Sequence, residues 1–319
     1  MKKIVLTYGD LNGIGVEILV KSLNELDLPT DEVLIVGAKK VFDFYSKHYN
    51  IRLNRDYEIC EVPLSDEAFE IGMENKYSGE HCFQCLKTVC DLVNKEIVKN
   101  IVTAPVSKNV LNMAGHKFSG QTEILECFLA QAGQKSEMFF VSVDFRVLLL
   151  TRHIPLNSVS QYLSKSMIID KITRLNDVLC SKFNLQNPKI GILALNPHAG
   201  EAGLLGKEEE NIIKPAISVL KAQGLNVCGP LVSDAAFAEF GAAYFSKEKI
   251  PYDCYVAIYH DQGLIPMKLV ARDSAVNTTI GLSAIRTSPS HGTAFDIAGK
   301  NIARTDSMKS AIRLALDLA

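Results

Sequence analysis

Three histidines in this chain each close a short apolar run rich in strand-forming residues. His153 ends Arg146-Val147-Leu148-Leu149-Leu150-Thr151-Arg152-His153, His198 follows Ile190-Gly191-Ile192-Leu193-Ala194-Leu195-Asn196-Pro197, and His260 follows Cys254-Tyr255-Val256-Ala257-Ile258-Tyr259. Neutral imidazoles are good donors for a divalent metal that keeps positions open for substrate. A histidine after a strand is also, most simply, a polar residue that begins a loop. The pattern recurs three times in a chain with seven histidines, and that repetition is the argument for a common purpose. A fourth, His291, follows the strand-like Ile285-Arg286-Thr287-Ser288-Pro289. Two acids lie close by: Asp261 directly after His260, and Asp234 between the second and third histidine strands, as a helix cap or a carboxylate beside the metal.

Residues so far apart converge only if the fold brings strand ends together. In open α/β sheets ligands collect beyond the carboxyl ends of parallel strands. Strand patterns over residues 3–8, 32–37 and 100–104 alternate with helical patterns over 16–26, 38–49 and 80–98, which predicts a parallel sheet with helices on its faces. Residues 137–151 read as a hairpin turning at Val143-Asp144, residues 164–183 as a helix, and the acids Glu208, Glu209 and Glu210 as the first turn of a helix running to 222. A last helix begins near Thr305. Gly9-Asp10-Leu11-Asn12-Gly13-Ile14-Gly15 is either an anion-binding turn or a plain tight one, since neither a Gly-x-Gly-x-x-Gly fingerprint nor a Gly-Lys-Ser/Thr loop is present. Gly120 precedes a helix whose first turn holds Gln121 and Thr122, which either orient an oxygen-rich ligand or simply start the helix.

At 319 residues the chain has room for about two domains. The expected class is α/β, with two α/β/α domains around a cleft: residues 1–125 with 281–319, and residues 126–280. A formal charge of −2 argues against nucleic acid, and the absence of any apolar run near ~18 residues argues against a membrane span. The amino terminus reads as a first strand rather than a signal peptide, so a cytoplasmic location is expected. Eight cysteines scattered through predicted elements suit reduced thiols, and the cluster His81-Cys82-Phe83-Gln84-Cys85 with Cys90 lies in a helical pattern that favours packing over metal.

Thr103-Ala104-Pro105-Val106-Ser107-Lys108, Gly120-Gln121-Thr122-Glu123, Thr151-Arg152-His153-Ile154-Pro155-Leu156, Asn196-Pro197-His198-Ala199-Gly200-Glu201, Tyr259-His260-Asp261-Gln262-Gly263 and Ile285-Arg286-Thr287-Ser288 occur in this order over nearly the whole chain. In these motifs the sequence resembles the 4-hydroxythreonine-4-phosphate dehydrogenase family of pyridoxal phosphate biosynthesis. The resemblance implies NAD- or NADP-linked oxidation of 4-phosphohydroxy-L-threonine to a 3-oxo acid that decarboxylates to 3-amino-2-oxopropyl phosphate. It implies a divalent metal (zinc, magnesium or cobalt) on His153, His198 and His260, in a site shared across a homodimer interface. Substrate contacts from Gln121, Thr122, Lys268, Asn277 and Arg286 are also implied. Ser290–Lys300 resembles the adenosine-side loop of isocitrate and isopropylmalate dehydrogenases, which implies cofactor contacts at His291, Gly292 and Asp296. The general base is open among Asp234, Asp261 and Lys108.

Two departures from the family pattern bear on substrate. Gln121 stands where the family usually has histidine, and an amide cannot carry positive charge toward a phosphate. Tyr8 and Leu11-Asn12 replace proline and proline-alanine. A dehydrogenase of another phosphorylated hydroxy acid, such as 4-phospho-D-erythronate, and a catalytically silent metal- or ligand-binding homologue are the alternatives.

Overall fold

The computed structural model describes residues 2–319. Strand β1 (Lys2–Thr7) leads to α1 (Gly15–Leu26), β2 (Val33–Gly37) to α2 (Lys39–Tyr49), and β3 (Glu58–Glu61) to α3 (Lys76–Asn94). After β4 (Val98–Thr103) come α4 (Lys108–Met113) and α5 (Gln121–Leu129). The hairpin strands β5 (Glu137–Val141) and β6 (Arg146–Leu149) precede α6 (Val159–Tyr162) and α7 (Lys165–Ser181). Then β7 (Ile190–Leu193), α8 (Lys214–Ala222), β8 (Val227–Leu231), α9 (Ser233–Ser246), β9 (Cys254–Ala257) and α10 (His260–Ala271) follow. The chain closes with β10 (Val276–Ile280), β11 (Arg286–Pro289) and α11 (Asp306–Asp317).

These elements form two compact α/β units, one running to Ser136 and rejoined by Val276–Ala319, the other Glu137–Ala275. In the first, the strand order is β3-β2-β1-β4-β11-β10. Alternate residues of β1 serve opposite faces: Ile4 and Leu6 join the core with α1, α2 and α11, whereas Val5 joins the core with α3 and α5. The sheet is therefore a middle layer, buried on both sides, which is why its strands read as nearly continuous apolar runs. In the second unit the order is β5-β6-β9-β7-β8, and Val147, Leu149, Tyr255 and Ala257 pack against Ala236 and Phe240 of α9 and Leu264 and Met267 of α10.

The expected parallel pairing of β1 with β2 and β4 and the expected hairpin β5/β6 are both present, and β10/β11 adds a second antiparallel pair. Two expectations are corrected. Helix α3 starts at Lys76, capped by the Asn75 side chain on Ser78 N at 2.8 Å, and ends at Asn94 before a left-handed Glu96, so Val98 belongs to a strand. The segment Glu209–Ile213 is a π-helical turn in front of α8, not a first α-helical turn.

The cysteine cluster packs as expected. His81 Nδ1 donates to Pro63 O at 3.1 Å, while Tyr8 Oη donates to His81 Nε2 at 2.6 Å and accepts from Ala38 N at 2.8 Å. Tyr8 thus ties the end of β1 to α3 and to the start of α2. Among the described residues all eight cysteines are free, and burial pushes the Cys90 and Cys254 thiols up to about 12.

Candidate functional site

In the second unit the strand ends carry the histidines into loops and helix starts. His153 lies just beyond β6 and His260 is the first residue of α10, with ring centroids 5.7 Å apart. β6 and β9 are parallel neighbours, Leu149 opposite Ala257, so the two residues leave the sheet side by side. Asp261 Oδ1 lies 2.7 Å from His260 Nδ1. A carboxylate only accepts, so Nδ1 is the donor to it, which in a neutral ring leaves Nε2 as the nitrogen that could ligate a metal.

His198 follows β7 on a loop of unusual backbone. From His198 to Ala202 every residue has positive φ, at 51°, 54°, 76°, 45° and 56°, a left-handed run that L side chains rarely adopt. A buried acid holds its base: Glu209 Oε1 accepts from Leu195 N at 2.9 Å and Asn196 N at 2.8 Å, and its Oε2 accepts from Asn196 Nδ2 at 2.9 Å. The sequence reading gave the acids 208–210 only a local role at a helix start. Gln262 was also missed: its Oε1 accepts from Ile258 N at 2.6 Å, and its Nε2 donates to Ala194 O at 2.7 Å and Ser233 Oγ at 2.9 Å. One amide thereby links the ends of β9 and β7 with the start of α9.

His198, Asp234, Tyr259 and Gln262 line a cavity of about 270 Å³ with Leu195, Asn196, Pro197 and Ser233. Asp234 sits in the first turn of α9. Among the described residues no group of three or more His, Cys, Asp or Glu side chains is placed to hold a metal.

In the first unit Arg286 opens β11, paired to Ile101 of β4 and Thr279 of β10. Its guanidinium is buried, its Nε donates to Thr103 Oγ1 at 2.8 Å, and burial, partly offset by the charge of Glu123, pulls its pKa down to about 10. A buried cation whose hydrogen-bond partner here is a neutral hydroxyl is prepared for an anion. Gln121 stands close by on the same strand end, its Nε2 donating to Ala104 O at 3.1 Å. The Ala104 carbonyl can only accept, so the amide nitrogen faces it and Oε1, buried without a partner, is left as an acceptor. Thr122 shares the first turn of α5, Asn277 is half-buried on β10, and Lys108 is exposed at the start of α4. In the second unit, Lys268 is exposed in the last turn of α10.

The glycine-rich turn after β1 is a plain tight turn. Gly9 has φ +64°, and a Cβ there would meet Pro105 O at 2.2 Å. Asn12 N is bonded to Asp10 Oδ1, Asp10 N to Pro105 O, Gly13 N to Asp10 O and Ile14 N to Thr293 O, so these donors serve the protein rather than an anion. The last bond packs the turn against the loop that carries His291, Gly292 and Asp296, all three exposed.

Asp10 is fully buried, and burial, opposed by the Asn12 N–H bond, pushes its pKa from 3.8 to about 6. The folded state keeps the proton over a range where the unfolded chain has released it. The stability this proton provides is therefore complete below about 3.8 and lost as pH rises through about 6. That gap corresponds to roughly 3 kcal/mol. Asp10→Asn is expected to gain up to about 3 kcal/mol over the parent at pH 8 and little at pH 4 in urea unfolding. An equal difference at both pH values would show that Asp10 is not a buried titrating group.

Comparison with known proteins gives consistent matches over the full length. The sequence profile of the family described as pyridoxal phosphate biosynthetic protein PdxA matches residues 22–315. A 4-hydroxythreonine-4-phosphate dehydrogenase of Sulfurihydrogenibium sp. is 38% identical, the alignment covering 99% of this chain and 98% of that one. A D-threonate 4-phosphate dehydrogenase of Salmonella typhimurium is 34% identical over 100% of this chain and 99% of the relative. The crystal structure of 4-hydroxythreonine-4-phosphate dehydrogenase from Klebsiella pneumoniae superposes with a TM-score of 0.88 at 33% identity, covering 100% of this chain and 98% of that one.

Proposed function

This chain belongs to the family of pyridoxal phosphate biosynthetic proteins PdxA, and from that membership we infer that it acts as a 4-hydroxythreonine-4-phosphate dehydrogenase. The secondary alcohol of 4-phosphohydroxy-L-threonine loses a proton and a hydride, and the 3-oxo acid then loses CO₂ to give 3-amino-2-oxopropyl phosphate. The observation that carries this reading is the full-length likeness to dehydrogenases of that name. Buried Arg286 supports it, as a planar donor set suited to the phosphate.

The neighbouring rings of His153 and His260, with Asp261 fixing one of them, fit two corners of a divalent-metal site, and we assign His198 as the third donor. When bound, the metal would acidify the substrate alcohol and a nicotinamide, NAD or NADP, would take the hydride. The assignment includes a second copy of the chain, in a homodimer that shares the site. Exposed apolar side chains close to each histidine favour such a contact: Leu156 after His153, Leu204 and Leu205 after His198, Ile265 and Leu269 after His260. Asp234, on the His198 cavity, is the base that receives the alcohol proton; Asp261, engaged with His260, positions the ring. Asp261→Ala is expected to lower metal affinity about 10- to 100-fold in a calorimetric titration. Unchanged affinity would remove Asp261 from this role.

Gln121 is compatible with a second substrate reading. Its free acceptor suits a donor on the substrate rather than a phosphate oxygen, and both the ammonium of the threonine derivative and the hydroxyl of D-threonate 4-phosphate qualify. The deciding experiment follows NADH formation with 4-phosphohydroxy-L-threonine, D-threonate 4-phosphate and 4-phospho-D-erythronate, each with and without a chelator. Chelator-sensitive turnover of the first supports the primary reading; turnover of either other acid alone replaces it.

A further inference from the structure

Around Glu137 the second unit gathers more positive charge than one carboxylate balances. Glu137 opens β5 and is buried, accepting from Lys171 Nζ on one oxygen and from Arg174 Nη2 at 2.5 Å on the other. Lys171 and Arg174 are three residues apart and share one face of α7. The hairpin supplies a third cation. Phe139 pairs with Leu148 and Val141 with Arg146, and the same register continued sets Glu137 opposite Leu150, so Arg152 leaves β6 at the end where Glu137 enters β5.

The charges act on one another. Burial lowers the Lys171 pKa, and Arg152 and Arg174 lower it further, against the raising effect of Glu137. Donor capacity is left over as well: Arg152 Nη1 and Arg174 Nε are buried without hydrogen-bond partners. A desolvated guanidinium donor without an acceptor is costly, and a bidentate oxyanion is the group that relieves it.

We propose that Arg152, Lys171 and Arg174 form a binding site for a phosphate dianion. Three cations less one carboxylate leave two positive charges, which match the double charge of free phosphate or of a phosphate monoester. Glu137 orients two of the cations, and Arg152, which has no carboxylate partner among the described residues, makes the principal contact. This site shares no residue with the Arg286 assignment.

The test titrates inorganic phosphate calorimetrically into the full-length wild type, Arg152→Gln, Glu137→Gln and Arg286→Gln. Arg286→Gln is expected to keep this site, and Arg152→Gln to weaken it at least about tenfold, the scale of a lost charge-assisted bond. Glu137→Gln, which removes the competing negative charge, is expected to bind phosphate more tightly, whereas a purely structural ion pair predicts lower stability and no gain in binding. Should Glu137→Gln fail to fold, Lys171→Gln provides the second reading and is expected to bind more weakly. Phosphate binding to Arg152→Gln as strong as to wild type, or none to folded Arg286→Gln, overturns the proposal. Saturating 4-phosphohydroxy-L-threonine separates the sources: displacement of phosphate from Arg286→Gln identifies the occupant as the substrate's own phosphoryl group, and coexistence identifies free phosphate. Loss of turnover in Arg286→Gln with this site intact bears on the catalytic assignment alone.

Discussion

Replacing Arg286 by glutamine lowers kcat/KM for the phosphorylated substrate by about 10³-fold while leaving the free protein as stable as the parent or more so. The two halves of this expectation have one cause. Burial has already pulled the guanidinium down to about 10, its Nε meets a threonine hydroxyl, and the charge of Glu123 offsets only part of the desolvation, so the free protein bears a cost that a bound anion relieves. Removing one partner of a buried charged contact costs about 3–5 kcal/mol in the complex, which sets the loss at two to more than three decades. Replacing the desolvated charge by a neutral amide removes that desolvation cost from the free state. Steady-state kinetics with NAD and thermal unfolding without substrate test both halves. A fall in stability together with activity would make Arg286 a structural residue.

The second large effect concerns the histidines. Chelation, His153→Ala and His198→Ala are each expected to reduce turnover by at least about 10³-fold, since a metal lowers the barrier to alcohol deprotonation by several kcal/mol. Added zinc, cobalt or magnesium should restore the chelated wild type and neither variant. Mixing the two inactive variants after co-refolding separates a shared site from one contained in a single chain. If the donors come from both copies, half the chains pair as heterodimers in which one of two sites is intact, and roughly a quarter of the activity returns. If all three donors belong to one chain, every site in the mixture lacks a histidine and none returns.

The alternation of strands and helices was legible because residues such as Ile4, Val5 and Leu6, buried on both faces of a sheet, read as strand whichever way they point. The hairpin at Val143-Asp144 and the cap of α7 by Ser164, which accepts from Met167 N at 3.2 Å, rest on local signals of the same kind. Helix α10 was not legible. It contains Gly263 and Pro266, both helix breakers by propensity, and tertiary packing overrides them: a Cβ at Gly263 would come within 2.6 Å of the Val147 side chain and 2.9 Å of Ala257 Cβ. The glycine is what lets this helix lie on the sheet and carry His260 to the end of β9. In the candidate site the histidines could be named from their strands, but Glu209 and Gln262 could not. Their partners are backbone groups brought near by folding, and one sequence carries no mark of which buried acid or amide will meet them. The different roles proposed for Asp234 and Asp261 likewise rest on placement, on a cavity and on a ring nitrogen.

The left-handed run from His198 to Ala202 also reverses the usual scale of what counts as a mild replacement. At Ala199 and Ala202 glycine is the conservative choice, since it adopts positive φ without a Cβ penalty, and valine or isoleucine is the disruptive one. A saturation library selected only for folded protein should enrich glycine and asparagine there and deplete β-branched residues. Tolerance at these positions would then report backbone geometry, and His198 alone in the run would answer separately to selection for activity.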